Sequence, residues 1–198
     1  MVAATGNKGK LREIQTILDT EQVLSLKDIN ATIEVEEDGK TFYENALKKA
    51  RETYQIINEP VLADDSGLCI SSLNDFPGVE TRRFLGEDAT DTDRNEYLIQ
   101  AVQNKEDRSA RMVCVVVYYD GENTLVGEGV LQGRIAEQRR GTNGFGFDEI
   151  LELPNGKTLA ELTDEEKNEI SARKIALENL KTKLNKLNGE KPPVKVKK

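Results

Sequence analysis

Three features of the sequence predict an α/β fold with a mixed sheet and two lobes around a cleft. Strand-like and helix-like segments alternate up to about residue 103, β-rich segments cluster from 111 to 136, and the chain closes in a long helical pattern. Residues 1–5 read as the end of a short buried strand, and Leu11, Ile14, Ile17 and Leu18 then take helical spacing. Thr41-Phe42-Tyr43-Glu44 has the form of a capping box, and Ala46, Leu47, Ala50, Tyr54 and Ile57 follow on one helical face. Pro60 stops that helix, because it lacks an N–H and its ring blocks the preceding turn. Val61-Leu62-Ala63 reads as a strand ending at Asp64-Asp65. Tyr97, Leu98, Ala101 and Val102 predict a helix over 91–103, and strands are expected at 111–119, 124–131 and 133–136, punctuated by Asp120-Gly121 and other glycines. A glycine-rich loop at 141–146 precedes Asp148, and a helix over about 164–187 is expected to bury Leu177, Leu180, Leu184 and Leu187.

Composition narrows the chemistry. The 198 residues suit one domain, 1–188, followed by a basic tail, 189–198, with Lys191, Lys195, Lys197 and Lys198 around Pro192-Pro193. That tail is expected to be disordered and outside the fold. The longest apolar run, Met112 to Tyr119, is far short of a membrane span, and no basic-then-apolar segment opens the chain, so a cytoplasmic protein is expected. A net charge of −8 argues against a nucleic-acid partner. Cys69 and Cys114 lie in apolar strand-like runs and read as small core residues. Histidine is absent, which excludes a His base, a His-ligated zinc and a Ser–His pair. Carboxylates, lysines, arginines, hydroxyls and a bound metal must do whatever chemistry there is.

Five segments carry residue types suited to it. Thr5-Gly6-Asn7-Lys8-Gly9-Lys10 lies between a strand and a helix start, where backbone N–H groups, the helix dipole and lysines can hold an anion; without a Walker glycine at Ala4 or a hydroxyl at Leu11, it is either a phosphate loop of another kind or a plain turn. Asp64-Asp65-Ser66-Gly67 puts two carboxylates at the expected strand end, suited to holding Mg²⁺ and orienting water, or to an ordinary turn. Glu34, Glu36, Glu37 and Asp38 form either a solvated face or a further metal carboxylate. In Gly144-Phe145-Gly146-Phe147-Asp148, glycines around a phenylalanine can present a ring to a base and Asp148 can accept from its N–H edge, although aromatics so spaced are also core residues. Lys167 and Arg173 lie in the C-terminal helical region, where cations are usually solvated.

Taken in order, these segments resemble the inosine triphosphate pyrophosphatase family, also called the Ham1 family. The resemblance spans about residues 3–187 and rests on ATGNKGK at 4–10, TFYENALKKA at 41–50, ADDSGL at 63–68, PGVETRRF at 77–84, GTNGFGFD at 141–148 and ELTDEEKNEISAR at 161–173. It implies an elongated fold around a long mixed sheet, a homodimer, and Mg²⁺-assisted attack of water on the α-phosphorus of ITP, dITP or XTP. By the same resemblance Thr5 through Lys10 hold the triphosphate, with Asn7 and Lys10 the main anchors. Asp65 is the general base and a metal ligand, Glu36 the second metal carboxylate with Glu37 as the alternative, and Ser66 contacts substrate. Phe145, Gly146, Phe147 and Asp148 line the base pocket, while Lys167 and Arg173 reach phosphates and base. Two positions depart from the family pattern: Ala172 stands where a histidine is usual in Ser-His-Arg, and Phe147-Asp148-Glu149 replaces Tyr-Asp-Pro. The base pocket is therefore expected to differ more than the phosphate apparatus.

Overall fold

The computed structural model of the chain describes residues 1–18 and 22–189. Its framework is a six-stranded mixed sheet in the order β2-β1-β3-β4-β5-β6. β1 (Val2–Ala3) runs parallel to both β2 (Leu24–Ser25) and β3 (Val61–Ile70). β4 (Ser109–Tyr119), β5 (Thr124–Ile135) and β6 (Leu151–Glu152) continue the sheet in antiparallel pairs. The helices are α1 (Lys8–Ile17), α2 (Phe42–Ile57), α3 (Asp91–Val102), α4 (Asp164–Ile170) and α5 (Ala172–Leu187).

Strand side chains alternate between faces, so each half of the sheet buries two different sets. Leu62, Cys114 and Val116 pack with Ile14 and Leu18 of α1 and Ala176, Leu177 and Leu180 of α5. Val61, Ala63, Val115 and Val117 face the other way, onto Ala46 and Ala50 of α2. A third core joins Leu68 and Ile70, in the far half of β3, to Leu98 and Val102 of α3 and to apolar residues from 147 to 162. The long central strands therefore belong to both lobes, and the space between the lobes is a cleft.

Several elements differ from their sequence expectations. β3 does not end at Asp64-Asp65: Ser66 to Ile70 stay paired with β4, so the two aspartates sit mid-strand. β5 is one strand rather than two, since Gly133 pairs with Ala110 without interrupting the ladder. The C-terminal helix is broken at Ser171, which ends α4 and whose Oγ accepts the Lys174 N–H at 3.0 Å to begin α5. Leu187 is 41% exposed and leaves the buried stripe to Leu177, Leu180 and Leu184. The Thr41 cap is half of a capping box: Thr41 Oγ1 accepts the Glu44 N–H, but the Glu44 carboxylate turns back to the Lys40 N–H instead of that of Thr41. Cys69 and Cys114 are free and buried, as expected. Apart from Gly189, the basic tail lies outside the described residues.

Candidate active site

The position of Asp64 and Asp65 within a strand decides the site. Alternation sends Asp64 and Ser66 to the α1/α5 face and Asp65 to the α2 face. On the first face Asp64 Oδ2 receives Lys10 Nζ at 3.0 Å and Arg173 Nη2 at 3.2 Å, and the same Nη2 donates to Ser66 Oγ at 3.1 Å. Arg173 Nη1 also pairs with Glu13, whose second oxygen meets Lys167 Nζ at 2.9 Å. Lys167 in turn bonds Asp148 Oδ2 at 2.5 Å. Three cations and three carboxylates thus alternate in one chain, and Lys10, Glu13, Asp64, Asp148, Lys167 and Arg173 are all at most 7% exposed.

Such burial is sustained only because every charge has opposite neighbours. Burial opposes the ionisation of Asp64, yet Lys10, Arg173 and Lys49 together hold its carboxyl well below the usual range. Arg173 is likewise disfavoured by burial and held charged by Asp64 and Glu13. Burial lowers the Lys10 ammonium despite Asp64 beside it. The Asp148 carboxyl is raised by burial against the opposing pull of Lys167. Cys114 lines the cleft as an inert thiol, pushed up to about 12 by burial.

On the opposite face Asp65 is held at both oxygens. Asn45 Nδ2 donates to Oδ2 at 3.0 Å and the Ser66 N–H to Oδ1 at 3.0 Å, while Asn45 Oδ1 accepts the Gly39 N–H at 2.7 Å. Burial raises the Asp65 carboxyl, and the nearby negative charge of Glu37 adds to the rise. Lys49 reaches across from α2 to the Asp64 carbonyl at 2.9 Å and to Glu37. Of the two glutamates weighed as a second carboxylate, the geometry brings Glu37 rather than Glu36 to Asp65. In the extended stretch 31–40 alternate residues point outward, so Glu36 is exposed near Lys48 while Glu37 faces Asp65.

Two clefts meet at this network. The first, about 850 Å³, is lined by Phe145, Phe147, Asp148, Lys167, Ala172 and Arg173 over a floor that includes Met112 and Leu131. The second, about 820 Å³, is lined by Thr5, Gly6, Glu37 and Lys49. Lys10 and Arg82 line both. Phe145 lines both the first cleft and a neighbouring recess, with Lys167 Nζ 4.2 Å from its ring centroid. A Cβ at Gly9 would sit 2.4 Å from that ring, so only glycine lets α1 approach it so closely.

The other expected site residues divide. Asn7 lines the first cleft, but its Oδ1 is used as the α1 cap, accepting the Gly9 and Lys10 N–H groups at 2.8 and 3.1 Å. Lys8 is exposed and lines neither cleft. Phe147 is mostly a core side chain, stacked on Phe84, which leaves Phe145 as the accessible ring. Asp148 Oδ2 is committed to Lys167 and to the Phe145 N–H at 3.0 Å. Lys167 and Arg173, expected on the surface by residue type alone, are buried at the centre. Ala172 is the first residue of α5, held there because β5 offers Gly129 beneath it: a Cβ on Gly129 would come within 2.0 Å of the Ala172 carbonyl oxygen.

Glu13, Asn45, Lys49 and Arg82 were not singled out by sequence. Glu13 left a signal, because it falls at i+3 from Lys10 on the helix face that also buries Ile14. Asn45 and Lys49 share the buried face of α2, four residues apart. Among the described residues no cluster of three side chains suited to a metal occurs. The available donors are Asp65 and Glu37, beside lysines suited to phosphate. Two carboxylates fit Mg²⁺, which keeps several waters and takes further oxygens from substrate phosphates.

Comparison with known proteins identifies the family. The Ham1 family model matches residues 1–183. A Coxiella burnetii protein named dITP/XTP pyrophosphatase is 41% identical over 191 residues, covering 93% of this chain and 96% of that protein. A Bacillus subtilis protein of the same name is 43% identical over 185 residues, covering 90% and 93%. The solved structure of a HAM1 protein from Coxiella burnetii superposes with a TM-score of 0.85 at 40% identity, covering 93% of this chain and 98% of that one. The Staphylococcus aureus Ham1 structure gives 0.85 at 36% identity, covering 94% and 98%. With the family model matched over residues 1–183 and relatives above 40% identical over nearly their full length, the chain belongs to the Ham1 family.

Proposed function

We propose that the protein hydrolyses triphosphates of non-standard purines, ITP, dITP and XTP, to the monophosphate and pyrophosphate. The observation that carries this reading is the junction of two clefts at Lys10 and Arg82. One cleft has an accessible phenylalanine ring and buried polar groups, and the other has lysines and carboxylates. A base beside Phe145 leaves its polyphosphate to run past Lys10 toward Lys49, with the α-phosphorus near β3. The relatives' names, at about 40% identity over nearly full length, support the same substrate class.

The chain's own residues then have definite work. Asp65 takes a proton from the attacking water; Asn45 and the Ser66 N–H fix its two oxygens so that it need not reorganise. Lys10 and Lys49 offset charge on the polyphosphate and on the leaving pyrophosphate. Asp65 and Glu37 would hold Mg²⁺, which supplies phosphate charge neutralisation and a more acidic water. Arg173, Lys167 and Asp148 present a fixed donor and acceptor pattern to the base edge, and a base that leaves them unpaired is rejected. Cytoplasmic residence and homodimerisation belong to the same reading, by resemblance to the family.

A second reading, a pyrophosphatase of relaxed base choice, is favoured by one feature: a methyl group at Ala172 lines the base cleft where an imidazole is usual. The test is a panel of ITP, dITP, XTP, GTP, ATP and dUTP with products separated by ion exchange. Monophosphate and pyrophosphate from ITP and XTP, abolished by EDTA and restored by Mg²⁺, are expected. Direct release of orthophosphate with a diphosphate product would overturn the assignment, and equal rates on ATP and ITP would select the second reading.

A further inference from the structure

Helix α3 takes no part in the chemistry above, yet its first turns grip the base cleft. Asp91 Oδ2 accepts the Gly146 N–H at 3.0 Å, and Asn95 Nδ2 donates to the Gly146 carbonyl at 3.0 Å. Both backbone polar groups of one residue are thereby held by one helix. That residue sits between Phe145 and Phe147 with φ +62°, in the left-handed region that glycine adopts without strain. Arg94, between Asp91 and Asn95 in sequence, donates to the carbonyls of Arg82, Phe84, Gly86 and Ala89 at 2.7–3.2 Å. Phe84, in that turn, stacks on Phe147 with centroids 6.4 Å apart. One stretch of α3 therefore fixes the loop that carries Phe145 and the turn that carries Arg82.

Asn95 is a poor core residue on packing grounds. It is 0% exposed on the face that buries Leu98 and Val102, and its Oδ1 has no hydrogen-bond partner. An unpaired buried acceptor opposes folding. A leucine would suit that face better, so what recommends asparagine is its donor to Gly146.

We infer that Asp91 and Asn95 are positioning residues for base recognition. They hold Gly146, and so set where the Phe145 ring lies against Gly9 and Lys167, without belonging to the phosphate apparatus. The inference rests on the proposed function in placing a purine beside Phe145.

The experiment compares the parent with Asn95→Leu, Asp91→Ala and Asp91→Asn in four measurements. These are melting temperature, hydrogen exchange at the Gly146 amide, pyrophosphate affinity, and the ITP-to-ATP ratio of kcat/KM. Asn95→Leu should melt no lower than the parent, exchange Gly146 faster and keep its pyrophosphate affinity. Its base ratio should fall by roughly three- to tenfold, the scale of one neutral hydrogen bond. Asp91→Ala should lose Gly146 protection and base ratio together. Asp91→Asn, which keeps an accepting oxygen, should restore both. The inference is overturned if Asn95→Leu leaves exchange and ratio unchanged, if it weakens pyrophosphate binding equally, or if Asp91→Asn is as damaging as Asp91→Ala. A parent inactive on every purine triphosphate would refute the functional reading instead, and Gly146 exchange alone would then decide the clamp.

Discussion

Asp64→Asn tests the buried charge network most directly. Asp64 Oδ2 takes Lys10 at 3.0 Å and Arg173 at 3.2 Å, and among the described residues Lys10 has no other ionic partner. The substitution keeps the side chain's shape and one accepting oxygen. It removes the negative charge, leaving Lys10 buried near Arg173 and Lys49, all of one sign. Taking one member from a buried pair costs about 3–5 kcal/mol, and the retained oxygen places this case near the lower figure. At about 2–4 °C per kcal/mol for a chain of this size, the melting temperature should drop by about 6–12 °C. Calorimetry, with urea midpoints at unchanged slope, reads that loss. Adding Lys10→Met to Asp64→Asn should recover part of it, because an uncharged side chain no longer needs the lost carboxylate. Melting within about 2 °C of the parent, or a further full loss on adding Lys10→Met, would refute the argument.

Asp65→Asn should preserve the fold but lower single-turnover hydrolysis of ITP by about 10²-fold or more; near-parent rates would put the proton acceptor elsewhere. Ala172→His adds an imidazole to the base cleft and should raise the ITP-to-ATP ratio of kcat/KM by up to about tenfold. An unchanged ratio in a folded, active variant would make the missing histidine incidental. Ser171→Ala removes the cap of α5 and should lower the melting temperature by about 2–4 °C, from a cap worth about 1 kcal/mol. Asp148 is raised by burial, so the stability it contributes at low pH is lost as pH rises through its folded value. Asp148→Asn should remove that fall, with parent-minus-variant stability in urea titrations declining as pH rises above the unfolded carboxylate value of about 4.

The segments bearing the site were legible because each rests on local rules. The strand-to-helix turn at 5–10, the Thr41 helix start, the Pro60 stop and the Asp64-Asp65-Ser66 string are properties of a few adjacent residues. Where local rules misled, a distant strand or helix had intervened. Ser66-Gly67 looks like a turn, but ladder pairing with Val113 and Cys114 carries β3 through it. Gly67 is needed there for another reason, since a Cβ would lie 2.4 Å from the Gly78 carbonyl oxygen. Lys167 and Arg173 look like surface cations because residue type reports solvation preference, not the presence of Glu13, Asp64 and Asp148 around them.

By itself the sequence determined the alternation of elements, the absence of histidine chemistry, and the order of six strings that mark the family. It also determined that Asp64 and Asp65 must diverge, because neighbouring residues in extended chain point to opposite faces. Tertiary structure alone decided what each aspartate meets: Arg173, 109 positions away, on one face, and Asn45, 20 positions away, on the other. It also turned Glu37, and not Glu36, toward Asp65 and made Glu13 the hinge of a buried ion chain. The physical reason is common to all three. Periodicity says which side chains share a face of one element, whereas a charge's partner is set by the face of another element packed against it.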